Sequence, residues 1–157
     1  MDRILNGRHQ SEKPDGRRSH RSGPDKPGRP GDADLDSGTV PTFHHVNLGV
    51  PPDGSDAEGE FLVGVLGYRK VPPEERPQGL GVRWYRADDG SEVHLSEDAE
   101  HRPAEKAHVA VVFGDALPAV EQRLGTAGIE HKSFQLDGFP RVVTCRDPAG
   151  NLWELRG

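Results

Sequence analysis

The strongest constraint on the fold is an internal near-repeat. Four short alternating runs, His44–Val50, Glu92–Ser96, Ala107–Phe113 and Asn151–Leu155, hold His45, His94, His108 and Glu154 in turn, each a side chain able to bind a metal. From His45 to His108 is 63 positions, and from His94 to Glu154 is 60. Imidazoles therefore open both halves, and an imidazole and a carboxylate close them. Three nitrogen donors and one oxygen donor can hold a divalent ion of the first transition row.

Between these markers the same order of segments runs twice. Phe43 to Val50 alternates, is β-branched and stops at Pro51-Pro52, as a strand does. Ala57 to Leu66 places Phe61, Leu62, Val65 and Leu66 at helical spacing, with Gly67 as the stop. Tyr68–Val71 reads as a short strand and 74–79 as a loop. Leu80–Arg86 and Glu92–Ser96 read as a hairpin about Asp88-Asp89-Gly90. After a charged linker, 97–106, the series begins again. Ala107–Phe113 is a strand, and Ala116–Ala127 is a helix with Leu117, Val120 and Leu124 on one face. His131–Leu136, Arg141–Cys145 and Leu152–Leu155 are strands, the last entered through the turn at 147–151. Each half is β-α-β-β-β, a unit that cannot cover its own sheet, so the two must pair.

Composition separates this foldable part from what precedes it. Residues 1–42 hold almost no large apolar side chains and are rich in Gly, Pro, Arg, Asp and Ser. Such a stretch buries too little surface to offset its ordering entropy, so a disordered tail is expected there. Residues 1–30 carry a balance of +4 and residues 31–157 one of −10, giving the net −6. An acidic folded part argues against nucleic acid as its partner. The lone Cys145 cannot form an internal disulfide, which suits a cytoplasmic protein. Ile4-Leu5 is too short for a signal-peptide core, and no apolar run reaches membrane-spanning length, so no membrane association is expected.

The motifs His45-Val46-Asn47-Leu48-Gly49-Val50, Leu66-Gly67-Tyr68 and Asp147-Pro148-Ala149-Gly150-Asn151-Leu152-Trp153-Glu154-Leu155 resemble those of the vicinal oxygen chelate superfamily. That superfamily includes glyoxalase I, fosfomycin-resistance thiol transferases, bleomycin-binding proteins and extradiol dioxygenases. The resemblance covers residues 43–157. It implies an α+β fold of two βαβββ modules, 43–96 and 107–157, forming a curved mixed sheet around a metal-binding cavity. It also implies His45, His94, His108 and Glu154 as ligands of one divalent ion, Zn, Ni, Co, Mn or Fe. Strand alternation agrees, since each proposed ligand can face the cavity while Val46, Leu95, Val109 and Leu155 face a helix-packed core.

The chain departs from the better-known members. Glyoxalase I has Glu, and methylmalonyl-CoA epimerases have Gln, where this chain has His94. Fosfomycin enzymes usually carry a Tyr in the strand that here reads 141–145. The activity implied is that of a glyoxalase-like lyase, isomerase or thiol transferase on a small substrate with vicinal oxygens, with Glu154 as ligand and base. Two alternatives stay open: a non-catalytic antibiotic-binding protein of the bleomycin-resistance type, and an extradiol-type dioxygenase. A small molecule is the expected partner, with a homodimer as an open alternative to a monomer.

The other chemistry-bearing residues have plainer readings. Alternation lets only one of His44 and His45 face the cavity, and the resemblance selects His45. His101 and His131 read as structural or solvent-facing. Trp84, Tyr85, Phe134, Phe139 and Trp153 read mostly as core, with a substrate role for one or two. Arg83, Arg86 and Arg141 read as solvated sheet residues, and Cys145 as a small buried residue with nothing nearby to activate it.

Overall fold

A computed structural model describes residues 41–79 and 81–157; the tail reading for 1–40 falls outside the described residues. The first module opens with strand β1, His45–Val50. It continues through α1, Ser55–Glu60, into a π-helical stretch, Phe61–Leu66. Strands β2, Arg69–Lys70, β3, Arg83–Arg86, and β4, Glu92–Glu97, complete it. The second module repeats this order with β5, His108–Val112, helix α2, Leu117–Thr126, β6, His131–Phe134, β7, Val142–Arg146, and β8, Leu152–Arg156.

The expected helix at 57–66 is present but divides into two kinds of turn. Asp56 in its first turn suits the positive end of the helix dipole. From Phe61 the turns widen, and Phe61, Leu62, Val65 and Leu66 face inward as their helical spacing requires. Gly67 then leaves the helix at φ 88°, and the Tyr68 N–H closes on Leu62 O at 2.9 Å.

The eight strands form two four-stranded sheets of the same design, ordered β1-β4-β3-β2 and β5-β8-β7-β6. In each, the first and last strands of the module pair in parallel, which leaves β1 and β5 as edges. The inner faces of both sheets join one buried cluster. Val50, Tyr85, Val93 and Leu95 come from the first, and Val143, Cys145, Trp153 and Leu155 from the second. Leu117, Val120 and Leu124 of α2 join the same cluster, as their spacing demanded.

Several contacts tie module to module. The Arg123 side chain donates to Val65 O at 2.7 Å, and Phe61 meets the Trp153 ring edge-on at 5.8 Å. The closing turn supplies the rest. Asp147 accepts the Asn151 N–H and the Trp153 indole N–H, each at 2.8 Å, while the Asn151 side chain reaches Gly49 O on β1. His101, read as structural or solvent-facing, is half-buried and bonds Ala149 O at 2.8 Å. Glu58 on α1 is fully buried beside this turn and accepts the Ala149 N–H at 3.3 Å. Burial first, and the Asp147 carboxylate second, push its acid up to about 9.

Candidate functional site

Strand alternation sorts the candidate ligands. Val46, Val93, Leu95, Val109, Trp153 and Leu155 contribute to the core cluster or pack on it. His45, His94, His108 and Glu154 therefore project from the opposite faces of their strands, as expected. The register is the same in both modules: His45 lies opposite Glu92 and His108 opposite Leu152, so each closing residue, His94 or Glu154, stands two positions further on.

In the first module the His45 and His94 rings stack at 4.2 Å with their planes 14° apart. Trp84 covers the other face of His94 at 4.1 Å and 11°. The lone pairs of an imidazole lie in its ring plane, so two nearly parallel rings cannot both direct a lone pair at one ion. Joint ligation needs one ring to turn. His94 is buried, whereas His45 is exposed and bonded to His44 through an Nδ1–Nδ1 contact of 2.8 Å. His45 is the ring with freedom to move. His44 is itself exposed, and its side chain touches the candidate ligand directly.

In the second module His108 Nε2 stands 3.7 Å from Glu154 Oε2, and Arg156 donates to Glu154 Oε1. Thr144 lies opposite Glu154 on β7, and with Lys132, Arg146 and Leu152 it borders a recess of about 650 Å³.

The two pairs do not meet within one chain. Both sheets turn their inner faces to the same cluster, and the two pairs stand apart on the other faces. Among the described residues no three His, Cys, Asp or Glu side chains are close enough to hold one ion. The donor chemistry suits a divalent metal, and the geometry offers it as two halves.

One participant was missed from the sequence. Glu92 is buried on the ligand face of β4, 2.8 Å from His94 Nε2, and it accepts from Arg86 Nε at 2.6 Å. Burial alone pushes its carboxyl upward; the bonds to His94 and Arg86 outweigh this and hold it below the usual value. Its place two residues before His94, hence on the same strand face, was the available signal.

The remaining candidates fall largely on the plain side. Tyr85 and Trp153 are core, Phe134 and Phe139 are exposed, and Trp84 is the one aromatic in contact with a candidate ligand. Arg83 pairs with Asp56, Arg86 with Glu92 and Glu75, and Arg141 with Glu121. His131 is half-buried, 3.8 Å from Glu121. The buried Cys145 thiol is raised to about 12, first by burial and then by Asp147 and Glu58, which removes it as a nucleophile.

No family model and no curated protein matches the chain. Solved structures do. A putative glyoxalase family protein from Bacillus anthracis superposes with a TM-score of 0.63 at 24% identity, covering 75% of this chain and 95% of that one. A glyoxalase/dioxygenase from Nostoc punctiforme gives 0.65 at 23%, covering 78% and 94%. A mutant of the fosfomycin resistance protein FosX from Listeria monocytogenes, complexed with Mn(II) and 1S,2S-dihydroxypropylphosphonic acid, gives 0.64 at 16%, covering 76% and 93%. The chain thus has the α+β fold of these glyoxalase-type structures.

Proposed function

We propose that the protein is a glyoxalase-like, metal-dependent enzyme that works as a homodimer on a small substrate offering two vicinal oxygens. The observation that carries this reading is the matched placement of His45 with His94 and of His108 with Glu154, each pair on the face its sheet turns away from the core. A divalent ion held by these four side chains would act as a Lewis acid on the substrate oxygens. Glu154 would take the proton from the adjacent C–H or O–H. Its Oε1 is engaged by Arg156, which leaves Oε2, the oxygen nearer His108, to do so.

The homodimer follows from the division of the site. His45 and His108 stand on β1 and β5, each an edge strand of its sheet. Phe43, just before β1, is 69% exposed and Val112, at the end of β5, is 74% exposed. A second copy presenting His108 and Glu154 to His45 and His94 would complete the donor set and cover both edges. The buried lone thiol fits a reducing compartment, and we assign the protein to the cytoplasm.

Complementation between inactive variants tests both claims. His45→Ala and Glu154→Gln chains are each expected to be inactive, the first through weakened metal binding and the second through loss of the base. Mixed and reassociated, they should regain activity, because one of the two sites in a mixed dimer then has every ligand. No regain from a mixture shown by mass to contain mixed dimers would overturn the shared site. Protein purified without a His-tag that stays metal-free after incubation with zinc, nickel, cobalt, manganese and anaerobic ferrous iron would overturn the metal.

A binding protein without catalysis is the second reading. It is favoured by the way Glu92 and Arg156 already satisfy His94 and Glu154 through hydrogen bonds within the chain. Metal uptake separates the two readings.

A further inference from the structure

The near-repeat contains its own control. Glu92 on β4 and Leu152 on β8 occupy equivalent positions, opposite His45 and His108 and two residues before His94 and Glu154. The leucine shows that this architecture accepts an apolar side chain at that position. The first module nevertheless places a carboxylate there, only 4% exposed, and burying a carboxylate is costly unless it is well partnered.

Its partners indicate its role. One oxygen, Oε1, accepts from Arg86 Nε at 2.6 Å, and Arg86 in turn reaches Glu75 at 3.3 Å. The other, Oε2, faces His94 Nε2 at 2.8 Å. A carboxylate can only accept, so His94 Nε2 carries the hydrogen. The ring also stacks on Trp84 at 4.1 Å, with the exposed His45 ring over its other face at 4.2 Å. With Nε2 committed, Nδ1 is the nitrogen left with a lone pair.

We propose that Glu92 is the positioning residue of His94: its carboxylate takes the Nε2–H, fixes the ring in one tautomer and plane, and leaves Nδ1 as the nitrogen that binds a metal. A ligating imidazole whose second nitrogen is tied to a carboxylate is both oriented and made a better donor. The donor set becomes asymmetric, with one imidazole held rigidly and His45 free to turn toward it. The part concerning metal rests on the function proposed above; the part concerning the ring does not.

Three full-length proteins decide the matter: wild type, Glu92→Leu, which copies the second module, and Glu92→Gln, which keeps an oxygen acceptor. Proton–nitrogen correlation spectra of the metal-free proteins, recorded above the imidazole titration, should show a solvent-protected His94 Nε2–H in wild type and in Glu92→Gln. The Leu variant should lose that protection. Zinc affinity by calorimetry should fall about 10- to 100-fold in Glu92→Leu and by only a few-fold in Glu92→Gln. A protected Nε2–H surviving in Glu92→Leu, or absent from wild type, overturns the positioning role. Unchanged zinc affinity in folded Glu92→Leu overturns its bearing on the metal. Wild type that takes up no zinc while showing the protected proton would instead count against the proposed function and leave Glu92 as the residue that holds the ring.

Discussion

His45 and His44 are adjacent, and only one of them shares a strand face with His94. His45 stacks on the His94 ring, while His44 touches His45 edge-on, with ring centroids 5.1 Å apart. His45→Ala is therefore expected to lower divalent-metal affinity at least tenfold, and His44→Ala by only a few-fold, as read by calorimetric titration (about 1.4 kcal/mol for each factor of ten). The reverse result would mean that β1 is out of register by one residue, with every inward and outward side chain exchanged. At Glu154 the two carboxylate oxygens are already divided, one to Arg156 and one toward His108. Glu154→Gln keeps a coordinating oxygen but not a base. Metal affinity should fall modestly while turnover of any identified substrate drops by two orders of magnitude or more. Intact turnover would send the search for the base elsewhere.

The closing turn shows how a short motif builds a whole element. Asp147 organises it by accepting from Asn151 and Trp153, and Gly150 allows the chain to reverse at φ 88°. A Cβ on Gly150 would lie 2.9 Å from Pro103 Cγ. Gly150→Ala should consequently cost about 1–3 kcal/mol in urea unfolding, from backbone strain alone. A loss well under 1 kcal/mol would show that the turn relaxes. Helix α2 makes the opposite point, since its contribution is packing. Leu124 is fully buried between the sheets, and Leu124→Ala should cost about 2–5 kcal/mol by the same measurement. The first helix was harder to read. Its apolar residues marked it as a helix, but their spacing suits an ordinary α-helix and gave no sign of the widening at Phe61–Leu66.

The buried acid at the junction of the modules acts on the molecule as a whole. Glu58 rises from the ordinary 4.5 to about 9 on folding, so between these values the folded chain holds a proton that the unfolded chain has released. Its contribution to stability is complete below about pH 4.5 and is lost as pH climbs toward 9. The groups that set this behaviour are Asp147 on the turn and the protein interior itself, with the Ala149 N–H opposing them. Wild type should lose stability relative to Glu58→Gln across that interval, as followed by urea midpoints at several pH values. Parallel curves for the two proteins would show that Glu58 ionises in the folded state at its ordinary pH.

The order of elements and the inward face of each strand were legible in the sequence, whereas the four candidate ligands came from the family resemblance. The first two depend on local periods, two residues in a strand and 3.6 in a helix, and on a repeat that keeps those periods in step. Turn chemistry was legible for the same reason, because Asp147, Gly150 and Asn151 act within five residues. What tertiary structure alone decided was how the halves meet. The described strands form two sheets joined through their inner faces, and His45 and His94 do not come together with His108 and Glu154 in one cluster. Nothing in either repeat fixes that choice, since it depends on which apolar faces cover one another across a sequence separation of some sixty residues. The roles of Glu92 and Glu58 were hidden for a related reason. A glutamate reads as solvated until its neighbours in space are known, and here those neighbours are His94 and Arg86 for one and the closing turn for the other.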